Sequence, residues 1–122
     1  MRHQSLLLGG IVLATLAFSA VEPASAADTK IERVYGTYCV QCHGLRRNGN
    51  GVNLPALSVK PRDHTDAKGM GSLPDDEIFK AIKTGGLSVN KSVLMPSWGG
   101  TLNDKQITEM VHYLRTVCKC GH

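Results

Sequence analysis

A chain of 122 residues has room for one domain and no more. Its formal net charge of +4 is a mild basic excess, and with aromatics at only 5% of residues it lacks the basic, aromatic-laced composition of a nucleic-acid binder. Such an excess suits attraction to an acidic protein surface.

The first element is expected to lie outside the domain. Met1, Arg2 and His3 form a short positive start, residues 6–20 are an unbroken apolar run, and Ala24-Ser25-Ala26 is a small-x-small cleavage site. Together they are expected to be a secretory signal peptide, residues 1–26, leaving residues 27–122 as the mature, periplasmic domain. A retained membrane anchor is the competing reading, but the run contains Gly9 and Gly10 and falls short of the roughly 20 residues that span a bilayer. No cysteine adjoins the cut to take a lipid, and cleavage removes one base (Arg2) with one acid (Glu22), so the charge excess survives. A domain this small builds a modest core and commonly needs a staple, whether disulfides, a metal or a cofactor.

Three helices are expected in the mature chain. The first runs from about Asp28 into Cys39, with Ile31, Val34, Tyr35 and Tyr38 at spacings of three and four. Residues 45–73 then carry glycines, prolines and asparagines without a helix or strand period; so long an irregular run in a small domain implies that it wraps around something. The second helix follows Pro74, with Asp75, Asp76 and Glu77 in its first turn, an apolar side of Ile78, Phe79 and Ile82, and Gly85-Gly86 as its stop. The third starts at an Asn103 cap with Gln106 three residues on, and its core stripe is Ile107, Met110, Val111, Leu114 and Cys118.

The stretch CVQCH, residues 39–43, lies at the end of the first helix, and three chemistries use cysteines so spaced. A structural zinc site wants a second such pair, whereas the remaining cysteines, in CKCGH at residues 118–122, are spaced C-x-C. A thioredoxin-like redox pair wants its cysteines at a helix N-terminus within a βαβ unit, and here the helix precedes them. The third is covalent haem attachment: Cys39 and Cys42 form thioethers to the macrocycle and His43 becomes an axial ligand of the iron. An ordinary disulfide would account for neither the adjacent histidine nor the long irregular loop.

With these residues in order, the mature chain resembles the class I cytochromes c from about residue 28 to 118, and the tail 118–122 lies beyond. The resemblance implies an all-α fold, three main helices with irregular loops wrapped around one covalently bound haem c. It implies that Tyr35 packs on the last helix near Tyr113 and Leu114. By the same likeness the carbonyl of Pro55, in LPAL, accepts the Nδ1 hydrogen of His43. The resemblance further implies that Met95, in LMPSW, is the sixth ligand and that Trp98 packs at the haem edge. The family usually carries a glycine eight residues before its first haem cysteine; here that position is Ile31, which puts the close crossing of the terminal helices in doubt.

A thioether favours Fe(II) and raises the potential, so the sixth ligand matters. Met95, next to a proline in a loop between helices with Leu94 and Trp98 to exclude water, is preferred to Met70, expected in a flexible glycine-flanked loop, and to Met110, a core residue. His64 is expected in a solvated loop, and His112 on the wet side of its helix. The expected function is one-electron transfer by an exported carrier rather than an enzyme. The alternatives are a subunit of a larger oxidoreductase and a haem enzyme or sensor with a displaceable ligand. Arg46, Arg47, Lys60, Arg62, Lys68, Lys83 and Lys91 are the bases available to steer an acidic redox partner. Cys118 and Cys120 are expected either to pair with each other, leaving a monomer, or to link two molecules; a soft-metal site with His122 is a further option.

Overall fold

The computed structural model describes residues 26–121, so the expected signal peptide lies outside the described residues except for its last. Five helices and two single 3-10 turns make up the fold, and no strand occurs among the described residues. The all-α expectation holds. No helix among them is long and apolar enough to cross a membrane.

Helix α1 (Ala26–Tyr38) buries Ile31 and Tyr35 and half-buries Val34, the i, i+3, i+4 stripe of a helix with one apolar face. Tyr38, expected on that face, is displaced to the edge and lays its ring against Trp98, 5.0 Å between centroids. One further turn, α2 (Val40–His43), carries the second cysteine and the histidine. Helix α5 (Asp104–Cys118) begins at Asn103, whose side chain accepts from the Gln106 amide while Gln106 accepts from the Asn103 amide, and all five expected stripe residues are buried. Helices α1 and α5 pack together with Tyr35 and Tyr113 5.6 Å apart. Ile31 is buried at 4% exposure in the same core, so this position takes a large side chain.

Helix α4 (Asp75–Thr84) begins after Pro74 with its three acids in the first turn, and packs Ile78 and Ile82 into the core. It stops at Gly85, whose φ of +88° is open to glycine at little cost. Its last carbonyls do not go unpaired. Trp98 and Gly99 donate their amides to Ile82 and Lys83, each at 3.0 Å, and the Ser97 hydroxyl donates to Lys83 at 2.6 Å.

The run 45–73 is not wholly irregular. It holds a 3-10 turn at Leu54–Ala56 and helix α3 (Ala67–Gly71), capped by Asp66, whose carboxylate accepts from the amides of Lys68 and Gly69. A single capped turn is too short to show a period in sequence. Helix α3 corrects one expectation outright: Met70 is helical and 1% exposed, not in a flexible loop.

Candidate cofactor site

The elements enclose a cavity of about 440 Å³, within the roughly 300–1,000 Å³ common for cofactor sites. One side is the end of α1 and α2, with Cys39, Cys42 and His43, continued by residues 57–64. A second stretch of the lining is the segment 89–98, with Met95 and Trp98. Apolar residues of α3, α4 and α5, among them Met70, Ile78, Ile82, Met110 and Leu114, close the floor.

Cys39 and Cys42 are not bridged to each other. Burial is the main reason the Cys39 thiol is pushed up to about 12, with the neighbouring Cys42 adding to it. The two cysteines follow helix α1 and no strand occurs among the described residues, so the βαβ setting of a thioredoxin-like pair is missing. The α2 turn that presents these cysteines is held from below. The amides of Gly49, Gly51 and Asn53 donate to the carbonyls of His43, Cys42 and Gln41, at 2.9, 3.0 and 2.9 Å. Gly51 is obligatory there, since a Cβ would come within 2.3 Å of the Gln41 oxygen and 2.5 Å of the Cys42 carbonyl carbon.

His43 donates Nδ1–H to the carbonyl of Arg62 at 3.0 Å. A carbonyl only accepts, so the proton sits on Nδ1 and Nε2 keeps its lone pair, the tautomer an iron ligand needs. Burial lowers the His43 pKa, partly offset by that hydrogen bond, and keeps the ring neutral. The expected acceptor was Pro55, and here the structure differs: Pro55 is exposed, sits in the 3-10 turn and does not line the cavity. The chain folds back six residues past that turn, and the arriving carbonyl belongs to Arg62.

His64 is the residue that sequence reasoning misjudged most. It is buried, at 7% exposure, and stacks on His43 with centroids 4.2 Å apart and planes 17° from parallel. The Tyr35 hydroxyl lies 3.1 Å from its Nδ1. Burial, reinforced by the nearby His43, lowers its pKa to about 3, so it is a neutral packing partner. Two imidazoles stacked this closely leave no room for a macrocycle between them, so this His64 is no axial partner for His43.

Three methionines line the cavity: Met70, Met95 and Met110. Met70 and Met110 sit in helices at 1% and 2% exposure, packed among core residues. Met95 alone is on a non-helical segment and only partly buried. That segment is clipped to the end of α4. The Gly86 amide donates to the Met95 carbonyl at 3.0 Å and the Met95 amide to Ser92 at 3.2 Å. A Cβ on Gly86 would come within 2.3 Å of the Ser92 oxygen. Leu94, expected to help seal the site, lines the cavity but stays 55% exposed, while Trp98 is half-buried at the cavity wall.

Two of the bases named for steering are already engaged. Arg47, with a positive φ of 61°, pairs with Glu32 at 2.6 Å, donates to the Tyr113 hydroxyl and lies over the Tyr35 and Tyr113 rings. Lys83 pairs with Asp104 at 2.8 Å. Lys60, Arg62 and Lys91 are exposed and line the cavity mouth. His112 is exposed, as expected. Cys118 and Cys120 are bridged to each other.

The donor set at this cavity is two unbridged cysteines, an imidazole whose Nδ1–H is held by a carbonyl, and thioethers within an apolar lining, which fits a haem held covalently and has too few hard or anionic donors for a structural metal. Among the described residues no cluster of three histidine, cysteine or acidic side chains could hold a metal ion by itself. Comparison with known proteins points the same way. Residues 26–114 match the sequence model of the family described as cytochrome C oxidase, cbb3-type, subunit III. The Cytochrome c6 of Bumilleriopsis filiformis is 28% identical over 90 residues, which cover 74% of this chain and 91% of that protein. The matched span takes in CVQCH, His64, Met95 and α5 as far as Leu114, and the chain belongs to this family and with it to the class I cytochromes c, proteins that transfer electrons on haem.

Proposed function

We propose that the protein is an exported, periplasmic one-electron carrier with a single haem c, attached through thioethers at Cys39 and Cys42 and ligated by His43 and Met95. When bound, the haem supplies Fe(III)/Fe(II) exchange and no bond chemistry on a substrate. The chain's own residues do the rest. Arg62 holds the proton of His43 on Nδ1 so that Nε2 can ligate. The clip at Gly86 carries Met95, and Trp98 with the floor of the cavity excludes water. The observation that supports the reading most is that one cavity is lined both by the CVQCH turn and by the Met95 segment.

The partner is proposed to be a redox protein with an acidic surface, met by Lys60, Arg62 and Lys91 at the cavity mouth. Electron-transfer rates that fall with rising salt support this, and rates indifferent to salt refute it.

A visible spectrum with a redox titration tests the whole. A single one-electron wave and a weak thioether-to-iron absorption in the oxidised state, lost in Met95→Ala together with a fall in potential, are the expected results. The same band unchanged in Met95→Ala would overturn the ligand assignment. Carbon monoxide should fail to bind the reduced protein at neutral pH, and ready uptake would favour a displaceable-ligand enzyme or sensor.

The matching family's description favours a second reading, in which the same domain carries electrons inside an oxidase complex. Co-purification with further subunits from membranes, against recovery alone from the periplasm, separates the two.

A further inference from the structure

The haem reading leaves the second cysteine pair unused. We propose that Cys118–Cys120 is a thiol–disulfide exchange site, with Cys120 the exchanging sulfur, Cys118 the buried resolving sulfur, and a dithiol-bearing protein as the reaction partner. The proposal does not depend on which residues ligate the iron.

The bridge is badly placed to be a staple. It links residues only two apart in sequence, with Cα atoms 5.1 Å apart, and the stabilisation gained by closing a loop falls as the loop shortens. The end of α5 is also held without it. Arg115, 6% exposed, donates Nη1 to the Met70 carbonyl at 2.7 Å and Nη2 to the Leu73 carbonyl at 2.6 Å, and pairs with Asp75 at 2.7 Å. The Lys119 and Cys120 amides donate to Thr116 and Arg115 in the helix cap.

The two sulfurs are unequal in the way an exchange site requires. Cys118 is 2% exposed, while Cys120 is half-buried beside the exposed Gly121. The Arg115 guanidinium lies 3.7 Å from Cys120 Sγ, where its charge favours the thiolate, and it is anchored on Met70, Leu73 and Asp75 by contacts that do not involve the bridge.

The exchange balances as follows in atoms and electrons. A partner thiolate attacks Cys120 Sγ; the partner S–Sγ bond forms, the Sγ–Sγ bond breaks, and the electron pair leaves on Cys118 Sγ, which takes a proton. The partner's second thiolate then attacks its own sulfur in the mixed disulfide, closing the partner's disulfide and leaving the pair on Cys120 as a thiolate beside Arg115. The bridge is reduced by two electrons and the partner dithiol is oxidised by two. The reverse sequence oxidises this chain at the expense of a partner disulfide.

The test uses the holoprotein with its iron kept ferrous by ascorbate, so that only sulfur is titrated. Native protein is treated with millimolar dithiothreitol, trapped with N-ethylmaleimide and weighed, while the visible spectrum reports that it stays folded. Opening without spectral change, with two maleimides added, is expected. In single-cysteine variants, Cys120 of Cys118→Ser should react with a dithiobis(nitrobenzoate) probe at least about ten-fold faster than Cys118 of Cys120→Ser. Its pH midpoint should rise in Arg115→Gln, a change a purely structural arginine would not cause. A bridge that opens only on denaturation, or thiols that react at equal rates, would overturn the proposal.

Discussion

The two sides of the cavity are held by different means. On the His43 side, contacts reach far along the chain. The Tyr35 hydroxyl meets His64, Arg47 meets Tyr113 and Glu32, and the His64 amide donates to the Arg47 carbonyl at 2.8 Å. Those contacts tie the loop to both terminal helices. On the Met95 side, the hydrogen bonds are mainly backbone and local, Gly86 to Met95, Met95 to Ser92, Trp98 to Ile82 and Gly99 to Lys83, and the tie to a terminal helix is a ring contact, Trp98 on Tyr38. A wall tied to the terminal helices opens only when the domain does, whereas a local clip can open by itself. On warming, the thioether-to-iron absorption should therefore be lost at a lower temperature than the far-ultraviolet helix signal. Coincident loss would show that the two walls are one cooperative unit.

Glycine substitutions break the comparison most sharply. Gly51→Ala drives a Cβ into the Gln41 and Cys42 carbonyl groups beneath the haem motif, and overpacking against rigid backbone is expected to cost about 3 kcal/mol of global stability. The measurement is a denaturant midpoint. Gly86→Ala meets the Ser92 oxygen and the Met95 Cβ, yet its damage should stay in the clip. About 1 kcal/mol of global stability is expected to go, together with most of the thioether absorption. If Gly86→Ala lowered the global midpoint as far as Gly51→Ala, the clip would not be local.

Removing one long-range contact is a milder version of the same test. Tyr35→Phe keeps the ring against Tyr113 but deletes the hydroxyl facing His64, and about 1 kcal/mol of stability should be lost. The ligand absorption should not change, because the hydroxyl removed faces His64 and not the Met95 clip.

Much of this was legible in the sequence where local rules decide. The capping box at Asn103 and Gln106, the acids opening α4 and the stripe from Ile107 to Cys118 are local signals, and each corresponds to an element found in the structure. What escaped was set by distant residues. His64 lies among Arg62, Asp63 and Asp66, a polar neighbourhood in sequence, but Tyr35 and His43 cover it in space. The spacing of a loop does not say which carbonyl folds back onto His43, so Pro55 was a fair expectation and Arg62 the outcome. Arg115 did leave a signal. It stands four residues after Val111 and three before Cys118, inside the apolar stripe, where a buried cation needs partners, and it finds the carbonyls of Met70 and Leu73.

The smallest expected effect concerns the lysines at the edges of the Met95 segment. Lys83 is joined to Asp104 in an exposed pair, so Lys83→Ala should change stability by no more than about 0.5 kcal/mol. Its charge is largely compensated by that neighbour, so electron-transfer rates with an acidic partner should barely respond either. Lys91, exposed at the cavity mouth, should give the opposite result: no change in stability, but a slower rate at low salt that converges with the parent protein as salt is raised. Equal kinetic effects of the two substitutions would mean that docking senses total charge rather than the bases around the cavity. The Met95 side would then be only a ligand loop and no part of the recognition surface.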